Sequence, residues 1–135
     1  MIVDTSVLLA YFDDKDAAHD YVCSPIEHAD EPLIVSPFVV AELDYLLLSR
    51  YGVAIETRVL RELASGAWEL AEVSLSQLRD ATDLVVHYND FKIGITDAVN
   101  VVLAQAYRTT RVATLDRRHF SVLRRPDGRA LTIVP

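Results

Sequence analysis

Short apolar runs that end in polar residues recur along the chain, and this pattern is typical of buried strands in a parallel sheet. Four such runs predict strands at Met1–Asp4, Leu33–Ser36, Val112–Leu115 and Leu131–Val134. A fifth segment, Trp68–Val73, alternates apolar and polar residues and is a weaker candidate strand. The pattern therefore predicts four to five strands.

Helical patterns fill the segments between these strands, and most of them open with Ser or Thr, which favour helix N-caps. The predicted helices are Thr5 or Ser6 to Phe12, Asp16–His28, Pro37–Gly52 with Ser36 as N-cap, Val53–Ala64, Ser76–Tyr88 and Thr96–Tyr107. Alternating strands and helices predict an α/β fold, a mainly parallel sheet flanked by helices on both faces. No repeat or linker interrupts the pattern, so residues 1–135 are expected to form one domain.

Four acidic residues occupy positions where packing alone gives little reason for a charge. Asp4 and Asp116 follow predicted strands, and functional sites form at the carboxyl ends of parallel strands. Glu42 and Asp97 stand inside otherwise apolar helical stretches. Taken singly, Asp97 also fits a partner of a helix N-terminus and Glu42 fits a solvated helix residue.

Four carboxylates that converge on one point repel each other unless cations neutralise them. Two divalent cations held roughly 3.5–4 Å apart suit in-line hydrolysis of a phosphodiester. The single cysteine, Cys23, excludes an internal disulfide and a thiolate zinc site. The four histidines (19, 28, 87 and 119) have no metal-ligand spacing and are expected to be ordinary surface or half-buried residues, which leaves carboxylates and hard cations such as Mg²⁺ or Mn²⁺.

The charge distribution bears on the binding of nucleic acid more than the net charge does. The chain carries −7 overall, which at first argues against a polyanionic partner. Residues 108–129, however, contain seven arginines and only two acidic residues, a local +5. Arg117 and Arg118, next to Asp116, are the candidates for phosphate contacts, although solvated loop arginines are the alternative.

The hydrophobic fraction is 51%, yet no apolar run approaches the roughly 20 residues that span a bilayer. An acid at position 4 stands where a signal peptide carries positive charge, so a soluble cytoplasmic protein without a membrane partner is expected. Part of the apolar helices 38–48 and 53–63 is expected to face another protein, because so small a domain cannot cover them completely.

Four segments, in this order, resemble the motifs of PIN-domain proteins, and the resemblance covers essentially the whole chain. They are Ile2–Ala10, Ser36–Leu43, Ile95–Ala98 and Ala113–Phe120. The short length, without an appended domain, is similar to VapC toxins. The resemblance implies a PIN-like fold, endoribonuclease activity with Mg²⁺ or Mn²⁺, a homodimer, and inhibition by a cognate VapB antitoxin.

The same resemblance assigns roles to individual residues. Asp4, Glu42, Asp97 and Asp116 match the acidic quartet of the family, as catalytic residues and metal ligands. Thr5 and Thr114 match hydroxyl residues beside the acids, which are expected to orient the carboxylates. Asn100, one turn after Asp97, is expected to reach the metal-bound water or the phosphate, with an ordinary surface residue as the alternative.

Segments 40–46 and 63–70 further resemble a VapC subgroup that cuts the sarcin–ricin loop of ribosomal RNA, whereas other members cut tRNA. Two rival classes fit less well. An aspartyl-phosphate enzyme of the haloacid dehalogenase type needs a second acid two residues after Asp4, where this chain has Ser6, and no lysine follows Lys92. A PIN-like scaffold that only binds RNA or protein would be indicated by loss of one acid, and all four are present.

Overall fold

The computed structural model describes all 135 residues and contains one five-stranded sheet. The strands lie in the order β3-β2-β1-β4-β5, and every neighbouring pair is parallel. Their bounds are β1 Ile2–Val3, β2 Ile34–Val35, β3 Glu69–Leu70, β4 Arg111–Ala113 and β5 Thr132–Val134. All five predicted strands are confirmed, including the weaker one, and each is shorter than the segment that predicted it.

Seven helices connect the strands. They are α1 Thr5–Phe12, α2 His19–Glu27, α3 Pro37–Tyr51, α4 Val53–Leu63, α5 Leu75–His87, α6 Ile95–Ala106 and α7 Arg117–Phe120. The six predicted helices are present. The four-residue α7 and a 3₁₀ turn at Asn89–Phe91 were not predicted, because both are too short to show an apolar period.

Several predicted helix starts need correction. The N-cap of α1 is Asp4 and not Thr5 or Ser6, and Thr96 lies inside α6, whose N-cap is Gly94. Residues 16–18 form a turn ahead of α2 because the Asp16 carboxylate accepts the Ala18 N–H at 2.8 Å. The predicted cap of α3 is confirmed, since the Ser36 hydroxyl accepts the Val39 N–H at 3.1 Å.

The sheet separates two hydrophobic cores, which confirms the prediction of helices on both faces. Val3, Val35 and Ala113 point into the core that α1–α4 build. Their neighbours along the same strands, Ile2, Ile34 and Val112, point into the core that α5 and α6 build. No helix of the structure combines the length and the apolar character that a membrane crossing requires.

The functional edge of the sheet follows from this topology. Because β2, β1 and β4 are parallel neighbours, their carboxyl ends meet at one edge. Asp4 leaves β1 there, Ser36 leaves β2, and Thr114 leaves β4. The Asp4 N–H still bonds to the Ala113 carbonyl at 2.9 Å, so the backbone at the start of α1 is held by the neighbouring strand.

Candidate active site

A cleft of about 390 Å³ opens at the carboxyl edge of the sheet. All four acids of the predicted quartet line it, and the lining contains no lysine or arginine. Its residues are Asp4, Thr5, Ser6, Leu9, Glu42, Leu46, Gly94, Thr96, Asp97, Asp116 and His119. The cleft therefore concentrates negative charge, and the imidazole of His119 is the one basic side chain in its lining.

Asp4 is the most buried acid of the cleft, with 6% of its surface exposed. Burial raises the pKa of its carboxyl group, and hydrogen bonds from Ser6 and Thr114 act in the opposite direction. The Ser6 and Thr114 hydroxyls donate to Oδ2 at 2.7 and 2.9 Å, and the Asn100 amide donates to Oδ1 at 3.3 Å. Three donors thus fix the carboxylate in one orientation.

Asn100 lies deeper than the sequence suggested. It is completely buried on the inner side of α6, between the buried Val99 and Val101, so it is not a surface residue. Its amide nitrogen contacts Asp4 directly, and its Oδ1 has no partner in the protein. The expected contact of Asn100 with a metal-bound water or a phosphate stays a prediction, and the contact that the structure shows is the one with Asp4.

Thr114 links two of the acids. Besides donating to Asp4, its hydroxyl accepts the backbone N–H of Asp116 at 3.0 Å. Thr5 holds a third acid in a similar way, because its hydroxyl donates a hydrogen bond to Glu42 Oε2 at 2.7 Å. Thr5 and Thr114 are both buried, whereas Glu42 is exposed on α3. Buried hydroxyls therefore hold the acids that reach into the cleft.

Asp97 is a half-buried acid in the first turn of α6, and its pKa is raised. Burial, followed by the charge of Asp4, raises the pKa of its carboxyl group to about 6. Its Oδ2 lies 3.0 Å from His119 Nδ1, and Asp116 Oδ2 lies 3.1 Å from the same nitrogen. One ligand atom from each of these three residues falls within 4.8 Å of the others, a spacing that suits a shared cation.

Two site residues were missed at the sequence level. The expectation that every histidine is ordinary is wrong for His119, which lies between two acids of the cleft. Its only signal was its place three residues after Asp116, whose carboxylate caps α7 by accepting the His119 N–H at 3.0 Å. Ser6 was missed too, although a hydroxyl two residues after a strand-end acid is well placed to bond it.

Most of the arginines in segment 108–129 are engaged within the protein. Arg117 donates to Tyr21 Oη at 3.3 Å and to the Pro135 carbonyl, and it does not line the cleft. Arg111 pairs with Glu31 at 2.9 Å, and the buried Arg125 pairs with Asp127 at 2.6 Å. Arg118 remains exposed beside Asp116. The local +5 is therefore not a free basic surface.

The donor set of the cleft fits a divalent cation. Carboxylate oxygens are the ligands that hard cations prefer, and a cation would offset the burial and the Asp4 charge that together raise the pKa of Asp97. Asp97, Asp116 and His119 form the group with metal-ligand spacing, and Asp4 and Glu42 line the same cleft.

Comparison with known proteins agrees with this geometry. Residues 1–126 match the sequence profile of the PIN domain. Over all 135 residues, and the full length of both chains, the sequence is 53% identical to ribonuclease VapC26 of Mycobacterium tuberculosis. The chain therefore belongs to the PIN-domain family and, within it, to the VapC ribonucleases, which confirms the family and the endoribonuclease class predicted from the four motifs.

Solved structures show the same fold at low sequence identity. VapC20 of M. tuberculosis, described as a sarcin–ricin loop cleaving toxin, has a TM-score of 0.81 at 19% identity, covering 87% of this chain and 90% of that one. A toxin–antitoxin complex from Klebsiella pneumoniae has a TM-score of 0.72 at 17% identity, covering 99% and 95%. VapBC2 of Rickettsia felis, bound to a promoter DNA fragment, has 0.72 at 15% identity, covering 99% and 98%.

Proposed function

We propose that this ribonuclease uses Mg²⁺ or Mn²⁺ to hydrolyse structured RNA and thereby blocks translation as a toxin. The observation that carries the proposal is the convergence of four carboxylates on one cleft that no lysine or arginine lines. Such a site disfavours a bare phosphate, so a cation is needed to admit the substrate. A toxin that acts on ribosomal RNA or tRNA works in the cytoplasm, where these RNAs lie.

In this mechanism Asp4, Glu42, Asp97 and Asp116 hold the cation or cations. When bound, the cations supply Lewis-acid polarisation of the phosphate and activation of a water for in-line attack. Ser6, Thr114 and Asn100 keep the Asp4 carboxylate in one orientation through their three hydrogen bonds. Preorganised ligands of this kind avoid the cost of reordering side chains during the reaction.

We expect cleavage to require Mg²⁺ or Mn²⁺, to stop in EDTA, and to leave a 5′-phosphate on the product. Attack by a water that displaces the 3′ oxygen gives that end group, whereas attack by the ribose 2′-hydroxyl needs a general base and a general acid. The cleft contains one histidine and no lysine, so it lacks a pair of histidines to serve as that base and acid. End-group analysis of a cleaved oligonucleotide checks this, and a 2′,3′-cyclic phosphate or full activity in chelator contradicts it.

For the substrate we propose the sarcin–ricin loop of ribosomal RNA before tRNA. Support comes from segments 40–46 and 63–70, and from the described activity of VapC20, which shares the fold. Primer extension on ribosomes and on total tRNA, treated with the same amount of protein, compares the two. Cuts confined to tRNA would instead make tRNA the substrate and contradict the proposal of the sarcin–ricin loop.

We propose Arg118 as the residue that contacts a phosphate flanking the scissile bond, since Arg117 is engaged with Tyr21 and Pro135. Arg118→Ala should weaken RNA binding and reduce its salt slope by roughly 0.7, the share of one phosphate contact on a single strand. Arg61→Ala, an equal loss of charge at an exposed position of α4 outside the cleft, is the control. An unchanged slope for Arg118→Ala would place the RNA elsewhere.

A VapB-type antitoxin is the partner we propose for the exposed apolar face of α3 and α4. Tyr45 is 70% exposed, Leu48 45% and Val53 61% on this face. A groove of about 190 Å³ beside it is lined by Phe12, Leu47, Tyr51 and Ile55 among others. Related folds have been solved as toxin–antitoxin complexes, which supports this choice.

We also propose a homodimer, because α5 exposes a second apolar surface that an antitoxin on α3 and α4 does not cover. Leu75 is 75% exposed and Val86 66%. Sedimentation equilibrium at micromolar concentration should therefore give about twice the chain mass of 15.1 kDa. A mass that stays at the single-chain value over that range counts against the dimer.

A further inference from the structure

His119 is the one basic side chain among the residues that line the acidic cleft. Its Nδ1 lies 3.0 Å from Asp97 Oδ2 and 3.1 Å from Asp116 Oδ2, so it faces one oxygen of each acid. The backbone that carries the ring is held in place, because α7 is capped by Asp116 and is anchored by Phe120, which is fully buried. The imidazole thus lies at the place where the two acids converge.

The chemistry of this nitrogen differs from that of the remaining donors. Carboxylates serve Mg²⁺ and Mn²⁺ alike, whereas imidazole nitrogen favours transition metals over Mg²⁺. A site made only of oxygen donors has no means to distinguish the two ions beyond size and geometry. A nitrogen donor among three close ligand atoms supplies one.

We propose that His119 is a nitrogen ligand of the divalent cation held by Asp97 and Asp116, and that it makes the site selective for Mn²⁺ over Mg²⁺. This inference rests on the proposed function, which requires a cation in the cleft. The competing role is structural, in which the ring only donates hydrogen bonds that hold the two acids in place.

Replacing His119 by asparagine separates the two roles. The amide nitrogen of Asn takes the place of ring Nδ1 and donates hydrogen bonds, but it has no lone pair to offer a metal. If His119 is a ligand, His119→Asn should weaken Mn²⁺ binding by about tenfold or more, the scale seen when support for a metal ligand is removed, and should affect Mg²⁺ much less. The control is His28→Asn, on an exposed histidine at the end of α2.

Calorimetric titration with Mn²⁺ and with Mg²⁺ measures the ratio of affinities for the wild type and both variants. Pulsed electron paramagnetic resonance of bound Mn²⁺, in protein labelled with ¹⁵N-histidine, detects a directly coordinated imidazole. We expect nitrogen coupling in the wild type and in His28→Asn, and its loss in His119→Asn together with the fall in the Mn²⁺/Mg²⁺ affinity ratio.

Mn²⁺ binding without nitrogen coupling, or an affinity ratio that His119→Asn leaves unchanged, would overturn the ligand role and leave the proposed function intact. A wild-type protein that binds neither ion would overturn both. The two failures are therefore distinguishable in the same titration.

Discussion

Replacement of Asp4 by asparagine should reduce RNA cleavage to background while the protein stays folded. Ser6, Thr114 and Asn100 all donate hydrogen bonds to this carboxylate. Asparagine offers one oxygen in place of two and turns an NH₂ group toward one of those donors. Because the charge that attracts a cation is lost as well, we expect a fall in activity on the order of 10²-fold or more, at the upper end of what loss of metal support costs.

Glu42→Gln, Asp97→Asn and Asp116→Asn should behave in the same way, since each acid lines the same cleft. Cleavage of a labelled RNA in saturating Mn²⁺ measures the effect, and circular dichroism verifies the fold of each variant. Asp80→Asn, an equal change of charge on the exposed part of α5, is the matched control and should retain wild-type activity. If any two of the four folded variants cut at the wild-type rate, the assignment of the quartet is wrong.

The convergence of Asp4 and Asp116 on one cleft could be predicted, because it depends on the order and direction of the strands that precede them. Asp4 and Asp116 follow β1 and β4, which are parallel neighbours, so their carboxyl ends must share an edge. The short apolar runs were sufficient to predict those strands. Glu42 could be placed nearby for a similar reason, since it lies in the first two turns of the helix that follows β2.

His119 could not be predicted, because its role depends on an approach between distant parts of the chain. The contact with Asp97 joins α7 to the first turn of α6, and no periodicity encodes the position of a four-residue helix. A signal existed in the spacing Asp116-x-x-His119, which places an N-cap acid and an N3 residue together. That spacing predicts the local contact between Asp116 and His119, but it does not predict the contact between His119 and Asp97.

The arginine segment shows what a charge pattern along the sequence leaves out, because the fold pairs several of these side chains with partners within the protein. Arg111 reaches Glu31, a residue beside β2, and Arg117 reaches the last residue of the chain. Neither partner is near in sequence. Positive charge along a segment therefore predicts a basic surface only where the charged side chains have no partners elsewhere in the fold.

Asp97→Asn should also make the metal-free protein more stable, although we expect it to inactivate the enzyme. Burial, and then the charge of Asp4, raises the pKa of Asp97 from 3.8 to about 6, which means that the fold disfavours the ionised form. Between these two values the folded protein binds more protons than the unfolded chain, so stability is lost as pH rises through this interval and stays low above it. At 1.36 kcal/mol for each pKa unit, the charge costs about 3 kcal/mol at neutral pH.

Asparagine removes that charge and retains a polar contact for His119, so we expect the free energy of unfolding in EDTA at neutral pH to rise by about 1–3 kcal/mol. Urea unfolding of wild type and variant across this pH range provides the measurement. The wild type should lose stability from about pH 4 to pH 6 more steeply than the variant. Saturating Mn²⁺ should reverse the ranking, because a cation that binds only the folded wild type stabilises it by mass action. A variant less stable than the wild type in EDTA would show that the Asp97 charge is already neutralised by His119, and that the acids of this cleft do not repel one another as their placement indicates.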